Sequence, residues 1–252
     1  LVAGIFGSGD KLRVSITTQL DKAVHVGLDR AGRQTQLPFA VTLKEFSMDE
    51  YPPKLYILNT ATETSSRDFL SVEEVGATAV VDGWELTAVQ YLDMAGRMPE
   101  QSDYLEMNHV GAAPAVYVRA KNSRSGEQRE GWVSCGSFIF EPSYLFIADN
   151  LAVAMPRREA KRYLSRVEVL NENGEKENFN IEVNHPANIG SWHIYQVGYD
   201  TSRGRWSTIS VLECVRDGWY SAVHIALWTM LAAGVVMFVT AGGRKRGKEE
   251  KR

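Results

Sequence analysis

Hydrophobic and polar residues alternate one by one over most of the chain, which is the pattern of β-strands with one buried face. The turn-favouring dipeptides Asp82-Gly83 and Asn173-Gly174 lie between such segments. The predicted strands are residues 12–16, 39–43, 79–81, 84–89, 115–120, 132–140, 166–170, 179–183, 192–197 and 206–211. Many short strands joined by turns indicate a mainly β domain, either a β-sandwich or a barrel-like sheet.

Two short stretches have a helical spacing instead. Residues 143–150 are predicted to form a helix and residues 155–163 a helical turn. No repeat of solenoid length is present in the sequence. Residues 10–218 are therefore predicted to form one β-rich domain, in which two subdomains would meet near the loop at residues 121–131.

The last part of the chain departs from the alternating pattern. Residues 222–241 carry no formal charge, and about 20 such residues match the hydrocarbon core of a bilayer. Trp219 and Tyr220 precede this stretch, at the position of an interfacial aromatic belt. We predict a C-terminal transmembrane helix over residues 219–243, and the alternative is a helix buried in a soluble core.

Charge is distributed unevenly along the 252 residues. The formal net charge is −3, but residues 244–252 contain six basic and two acidic side chains, so this tail is +4 and the remainder is −7. Basic residues beside a membrane span mark its cytoplasmic side. We therefore predict a cell (inner) membrane protein with a basic cytoplasmic tail at 244–252 and a periplasmic, extracytoplasmic β domain.

The first residues also differ from the body. LVAGIFGSGD is apolar for six positions and then turn-like. We expect residues 1–9 to be the end of an upstream membrane helix that has been trimmed away. The alternative is a mature N-terminus left by cleavage of a signal peptide.

Candidate chemistry is sparse. The sequence contains no GxSxG, P-loop, HExxH, GxGxxG or CxxC motif, and the five histidines lack metal-ligand spacing, so no catalytic residue and no metal site are predicted. His224 lies within the predicted span, where an imidazole either binds haem iron or reaches the interface. Cys135 and Cys214 either form one disulfide or remain two buried thiols.

Two segments resemble a known family. Residues 37–52 read LPFAVTLKEFSMDEYP, and residues 182–200 read EVNHPANIGSWHIYQVGYD. The second segment contains V-N-x-P, then G-x-x-x-x-Y-Q, then Y-D, through Val183, Asn184, Pro186, Gly190, Tyr195, Gln196, Tyr199 and Asp200. In this order before a terminal helix, the motifs resemble the ResB (CcsB) proteins of system II cytochrome c biogenesis. GWVSCGSF at 131–138 resembles the Bacteroidetes-type members, whereas residues 60–160 match more loosely.

The resemblance implies a membrane protein that works with a CcsA-type partner. The pair would deliver haem outward and support its attachment to the CxxCH thiols of apocytochrome c. The chain would then not be an enzyme by itself, but a subunit of a holocytochrome c synthase complex. Haem would be bound through the complex. His224 is a weak haem candidate, because the family's intramembrane histidine lies in a helix before the large domain.

The motif residues are candidates for contacts with the partner or the apocytochrome: Asn184, Pro186, Tyr195, Gln196, Tyr199 and Asp200. The alternative is that they define a turn and a strand of the fold. Membrane lipid is an expected partner and nucleic acid is not. The competing function is a membrane-anchored extracytoplasmic ligand-binding or sensor domain without catalysis.

Overall fold

The computed structural model describes residues 12–98, 103–216, 218 and 220–249, and for the C-terminal helix it describes the side chains of 223–238. The protein is mainly β, as predicted. The expected end of an upstream helix at residues 1–9 lies outside the described residues.

In chain order the strands are β1 (Leu12–Gln19), β2 (Ala23–Asp29), β3 (Gln34–Glu50), β4 (Lys54–Asn59), β5 (Thr64–Ser65), β6 (Leu70–Ser71), β7 (Thr78–Val81), β8 (Trp84–Gly96), β9 (Leu105–Glu106), β10 (Ala113–Asn122), β11 (Gln128–Ser134), β12 (Leu145–Ala148), β13 (Leu151–Ala154), β14 (Ala160–Asn171), β15 (Lys176–Glu182), β16 (Ala187–Ile189), β17 (Trp192–Tyr199) and β18 (Ile209–Arg216). A 3₁₀ turn at Gly204–Trp206 precedes β18, and a helix, α1 (Tyr220–Glu249), follows it.

The larger unit is an antiparallel sheet of eight strands in the order β15-β14-β3-β2-β1-β18-β17-β16. It curls until β15 at one edge packs against β16 and β17 at the other. Among the described residues no ladder joins these edges, and only an isolated bridge links Glu182 to His185. The sheet is therefore open, and its inner face buries alternating apolar residues of several strands, such as Val14, Ile16 and Leu212.

The second unit is a sandwich of two small sheets, inserted between β3 and β14. One sheet has the order β11-β10-β8-β7 with β9 beside β8, and the other β12-β13-β4-β5 with β6 beside β4. The members of its core fall between Leu55 and Met155, and none of the larger unit's core does. Each unit therefore has a core of its own.

Both predicted turn dipeptides form hairpins. Asp82 and Gly83 join β7 to β8 with φ values of 45° and 82°, and two successive positive φ values are typical of a type I′ turn. Between β14 and β15, the Asn171 side chain accepts hydrogen bonds from the backbone N–H groups of Asn173 and Glu175. Such side-chain acceptance is why asparagine favours turns.

Three expectations about the middle of the chain are wrong. Residues 143–150 contain β12 rather than a helix, with Leu145 and Ile147 buried and Phe146 exposed in strict alternation. Residues 155–159 form no regular secondary structure, and residues 160–163 belong to β14. The loop at 121–131 belongs to the hairpin between β10 and β11, and the units meet instead where β3 ends and β14 begins.

The predicted C-terminal helix is present as α1, and its described side chains, residues 223–238, are exposed. A membrane span needs a run of about 20 predominantly apolar residues. In the part of the chain that the structure describes, no helix combines that length with the necessary hydropathy. The C-terminal helix is thus confirmed, and its assignment as a transmembrane span stays a prediction.

Candidate functional site

The two β units meet in a cleft lined by arginine side chains. Glu50 ends β3, while Arg157 and Arg158 lie shortly before β14, so the chain enters and leaves the sandwich here. The loop at 201–206 and the segment at 135–138 complete the walls. The cleft has a volume of about 120 Å³.

Arg158 is the centre of an ion network that joins the units. Its Nη2 donates to Glu50 Oε2 at 2.6 Å, and its Nη1 donates to Asp93 Oδ1 at 2.7 Å. Arg205 reaches the same carboxylates, with its Nε 3.2 Å from Glu50 and its Nη1 3.1 Å from Asp93. The Tyr91 hydroxyl donates to Asp93 at 2.8 Å and accepts from Arg158 at 3.2 Å.

Burial makes this pairing necessary. The Arg158 side chain is only 6% exposed and that of Glu50 11%, and a charge buried this far is stable only when it is paired. Burial alone would raise the pKa of Asp93, but the Tyr91 hydrogen bond and the charges of Arg158 and Arg205 outweigh it and lower that pKa. Burial, together with the hydrogen bond to Asp93, raises the pKa of Tyr91 to about 12. At neutral pH Asp93 is therefore a carboxylate and Tyr91 a neutral donor.

Two further arginines line the cleft on its exposed side. Arg157 Nη1 donates to the carbonyl oxygens of Thr201 and Ser202 at 3.3 and 3.2 Å. Arg203 lies over the Phe138 ring, 5.1 Å from its centroid, and its Nε is 4.0 Å from Asp200. Since Glu50 and Asp93 balance Arg158 and Arg205, and Asp200 pairs with Arg203, the surplus positive charge on the exposed side is that of Arg157.

A tight turn after β17 presents Arg203 and Arg205. Asp200 Oδ1 accepts hydrogen bonds from the Ser202 hydroxyl at 2.6 Å and from the Ser202 N–H at 2.9 Å, and these lower the pKa of Asp200. Gly204 begins the 3₁₀ turn with φ of 57°, a left-handed conformation that favours glycine. Trp206 Nε1 then donates to the Ala112 carbonyl oxygen at 2.9 Å, which ties the turn to the sandwich.

Aromatic side chains continue the apolar part of the cleft wall. The rings of Phe46, Tyr163 and Tyr199 form a cluster with centroid distances of 5.0 to 6.4 Å. Tyr199 and Met48 line the cleft directly. Burial, then the neighbouring Tyr163, raises the pKa of Tyr199, so this phenol is neutral at physiological pH.

The structure brings only two of the six predicted contact residues to this cleft. Tyr199 lines it, and Asp200 forms the adjoining turn. On β17, Gln196 is buried whereas Tyr195 is half-buried and points to the opposite face. Asn184 and Pro186 lie in the turn before β16, with Asn184 exposed.

Gln196 belongs to a polar cluster inside the larger unit. Its Nε2 donates to the Gly198 carbonyl oxygen at 2.9 Å and to the Ser210 hydroxyl at 2.8 Å, and Ser165 donates to the same hydroxyl at 2.7 Å. These bonds link β17, β18 and β14 across the core. The cluster places Gln196 in the core of the larger unit, and the role of the motif residues in partner contacts stays a prediction.

The two cysteines are both free thiols, in different cores: Cys135 in the sandwich and Cys214 in the larger unit. Burial raises the pKa of Cys135 to about 11 and that of Cys214 to about 12, so both are protonated at neutral pH. His224 lies on the exposed part of α1. Among the described residues, no group of three or more His, Cys, Asp or Glu side chains could hold a metal ion.

The network around Arg158 was missed by the sequence analysis. In the sequence, the charged members of the network resemble ordinary surface residues, and their partners are far away along the chain. Asp93 is 65 residues from Arg158 and 112 residues from Arg205. The only local signals are the adjacent Arg157 and Arg158 and the arginines that flank Gly204. Neither signal identifies the partners.

Comparison with known families shows where the resemblance lies. The ResB-like family model matches residues 133–226, just over a third of the chain, from the end of β11 to the start of α1. The match includes the cleft walls at 135–138, 157–158 and 199–206, but neither Glu50 nor Asp93. No curated protein matches the chain. The narrower Bacteroidetes-type assignment stays a prediction. Residues 133–226 thus match the ResB-like family, the same family that the sequence motifs resemble.

Proposed function

We propose that this chain is a component of cytochrome c biogenesis that works beside a CcsA-type partner. The observation that carries the proposal is the family match over residues 133–226, because the ResB-like family is linked to cytochrome c biogenesis. In this proposal the partner carries haem outward. This chain supports the attachment of haem to the CxxCH thiols of apocytochrome c, and haem is cargo of the complex.

The β units would lie outside the cytoplasm, held at the inner membrane through α1. Exposed apolar side chains on the helix support this arrangement: Trp228 is 66% exposed, Met237 72% and Phe238 86%, and such a surface is unfavourable in water. Only three residues separate the end of β18 at Arg216 from the start of α1 at Tyr220. His224, on the exposed part of α1, is the residue of this chain that we propose for a contact with haem.

A deletion strain tests the function. Haem staining of c-type cytochromes should disappear when the chain is deleted, while immunodetection still finds exported apocytochrome c. Full-length protein supplied in trans should restore staining. Normal staining in the deletion strain would exclude the proposal.

Purification separates the proposed function from the alternative of a sensor domain. In gentle detergent we expect a CcsA-like chain to co-purify and the complex to show a haem Soret band. A colourless protein without that partner would favour the sensor domain. Alkaline extraction of membranes, with proteolysis of a C-terminal tag from each side, tests the localisation.

A further inference from the structure

We propose that the arginine-lined cleft between the two β units binds a carboxylate carried by an apolar group. The cleft combines surplus guanidinium charge with an apolar wall and a small volume. None of these features depends on the proposed function.

The charge is arranged to leave donors for a ligand. Arg158 and Arg205 are neutralised by Glu50 and Asp93. Arg157 makes hydrogen bonds to two carbonyl oxygens, both from Nη1, and no carboxylate of the described residues lies within ion-pair distance of it. A guanidinium has five N–H donors in a planar fork, and that fork matches a carboxylate.

A buried, unsatisfied donor supports the same assignment. Arg158 lines the cleft, and its Nε is a buried atom without a hydrogen-bond partner in the described structure. Its side chain is more than nine-tenths buried. Because an unsatisfied buried donor is costly, a ligand oxygen that reached it would be favoured.

The walls and the volume define the rest of the ligand. Phe138, Met48, Tyr199 and Trp206 provide apolar and aromatic surface beside the arginines. The cleft volume of about 120 Å³ admits only a small chemical group. That space suits a carboxylate on a short alkyl arm, with the apolar body of the ligand resting on the rim.

Two sources could supply this chemistry: the propionate of a porphyrin, or an acidic side chain of a partner polypeptide. Only the porphyrin source rests on the proposed function. The test therefore has two arms, each with an acid and its uncharged analogue. One compares protoporphyrin IX with its dimethyl ester. The other compares a short Phe-Glu peptide with the corresponding Phe-Gln peptide.

Binding is measured by titration of the full-length protein in detergent, at low and high salt. We expect the acid to bind in at least one arm, and its affinity to fall when the salt concentration is raised. The uncharged analogue should bind at least tenfold more weakly than the acid. Arg157→Gln and Arg203→Gln should each weaken binding of the acid about tenfold. Arg157→Lys and Arg203→Lys should bind the acid with an affinity between those of the wild type and the glutamine variants, since lysine keeps the charge but lacks the planar fork of donors.

Arg124→Gln is the matched control, because Arg124 is exposed in the loop between β10 and β11, away from the cleft lining. Its affinity should equal that of the wild type. Arg157 and Arg203 are also exposed, so their variants should stay folded and unfold in one cooperative thermal transition. Equal binding of acid and analogue in both arms, or wild-type affinity in both glutamine variants, would overturn the inference. Either result would leave cytochrome c maturation, and hence the proposed function, unaffected.

Discussion

At the scale of single residues, Arg158 has the largest structural effect. It connects Glu50 at the end of one unit to Asp93 and Tyr91 in the other, from a nearly buried position. Buried ion pairs contribute little net stability, but the loss of one partner leaves an uncompensated charge. The energetic consequence therefore depends on which member is removed.

Replacement of Arg158 by alanine should destabilise the protein by about 3–5 kcal/mol, because Glu50 would remain buried with only Arg205 beside it. Urea denaturation measures the change. Arg119→Ala is the matched control: Arg119 pairs with Glu130 at the exposed surface, so its loss should have a much smaller effect on the free energy of unfolding. Equal effects of the two substitutions would contradict this account of the junction.

Asp93 makes the junction sensitive to acid. Its pKa is lower in the folded protein than in the unfolded chain, so its stabilising contribution is present above the unfolded value of about 4 and is lost as the pH falls through the folded value. The difference in unfolding free energy between wild type and Asp93→Asn should be constant at neutral pH and should shrink below about pH 4. Urea titrations across this range measure it. A difference in unfolding free energy that did not change with pH would contradict the prediction. The control is Asp68→Asn, a substitution at an exposed position.

At the scale of elements, alternation and turn chemistry predicted much of the fold. Residues 12–16, 166–170 and 192–197 lie within strands, because each alternates between core and solvent. The segment 143–150 was misassigned because it is short, and four residues of β12 are too few to separate a strand period from a helical one. Its partner strand, β13, decides its conformation.

The β7–β8 hairpin depends on two positive φ values in succession. Gly83→Ala should destabilise the protein by about 1–3 kcal/mol, because alanine is strained at φ of 82° although no atom lies within 4 Å of the added Cβ. Asp82→Asn should be nearly neutral, since asparagine also tolerates this conformation. Thermal unfolding compares the two variants. A neutral Gly83→Ala substitution would show that the turn does not need the left-handed residue.

At the scale of the whole molecule, the protein consists of one β unit inserted into another. The ResB-like match begins within the inserted sandwich and continues through the larger sheet into α1. The sandwich and the larger sheet have separate cores and share the arginine-lined cleft. The boundary therefore lies at the end of β3 and the start of β14.

Excision of the sandwich tests this architecture. Tyr51 N–H donates to the Glu159 carbonyl oxygen at 3.0 Å, so an Asn-Gly turn can replace residues 52–158 and close a hairpin between β3 and β14. We expect the shortened protein to keep near-UV circular dichroism and a cooperative urea transition, at reduced stability. Strong dye binding without near-UV signal would mean that the larger sheet needs the sandwich. The same excision with Gly-Gly as the turn is the control for the turn itself.

The sequence by itself determined the β character of the chain, its principal strands, two hairpin turns, the C-terminal helix and the family resemblance. All of these depend on residues close together in the chain, through side-chain period, local hydrogen bonding or short motifs. Only the tertiary structure decided that the middle of the chain is a separate sandwich. It also decided that both thiols are unpaired and that Glu50, Asp93, Arg158 and Arg205 form one network. Those properties arise from contacts between residues as much as 112 positions apart, and burial in three dimensions makes charges interact that the sequence presents as surface residues.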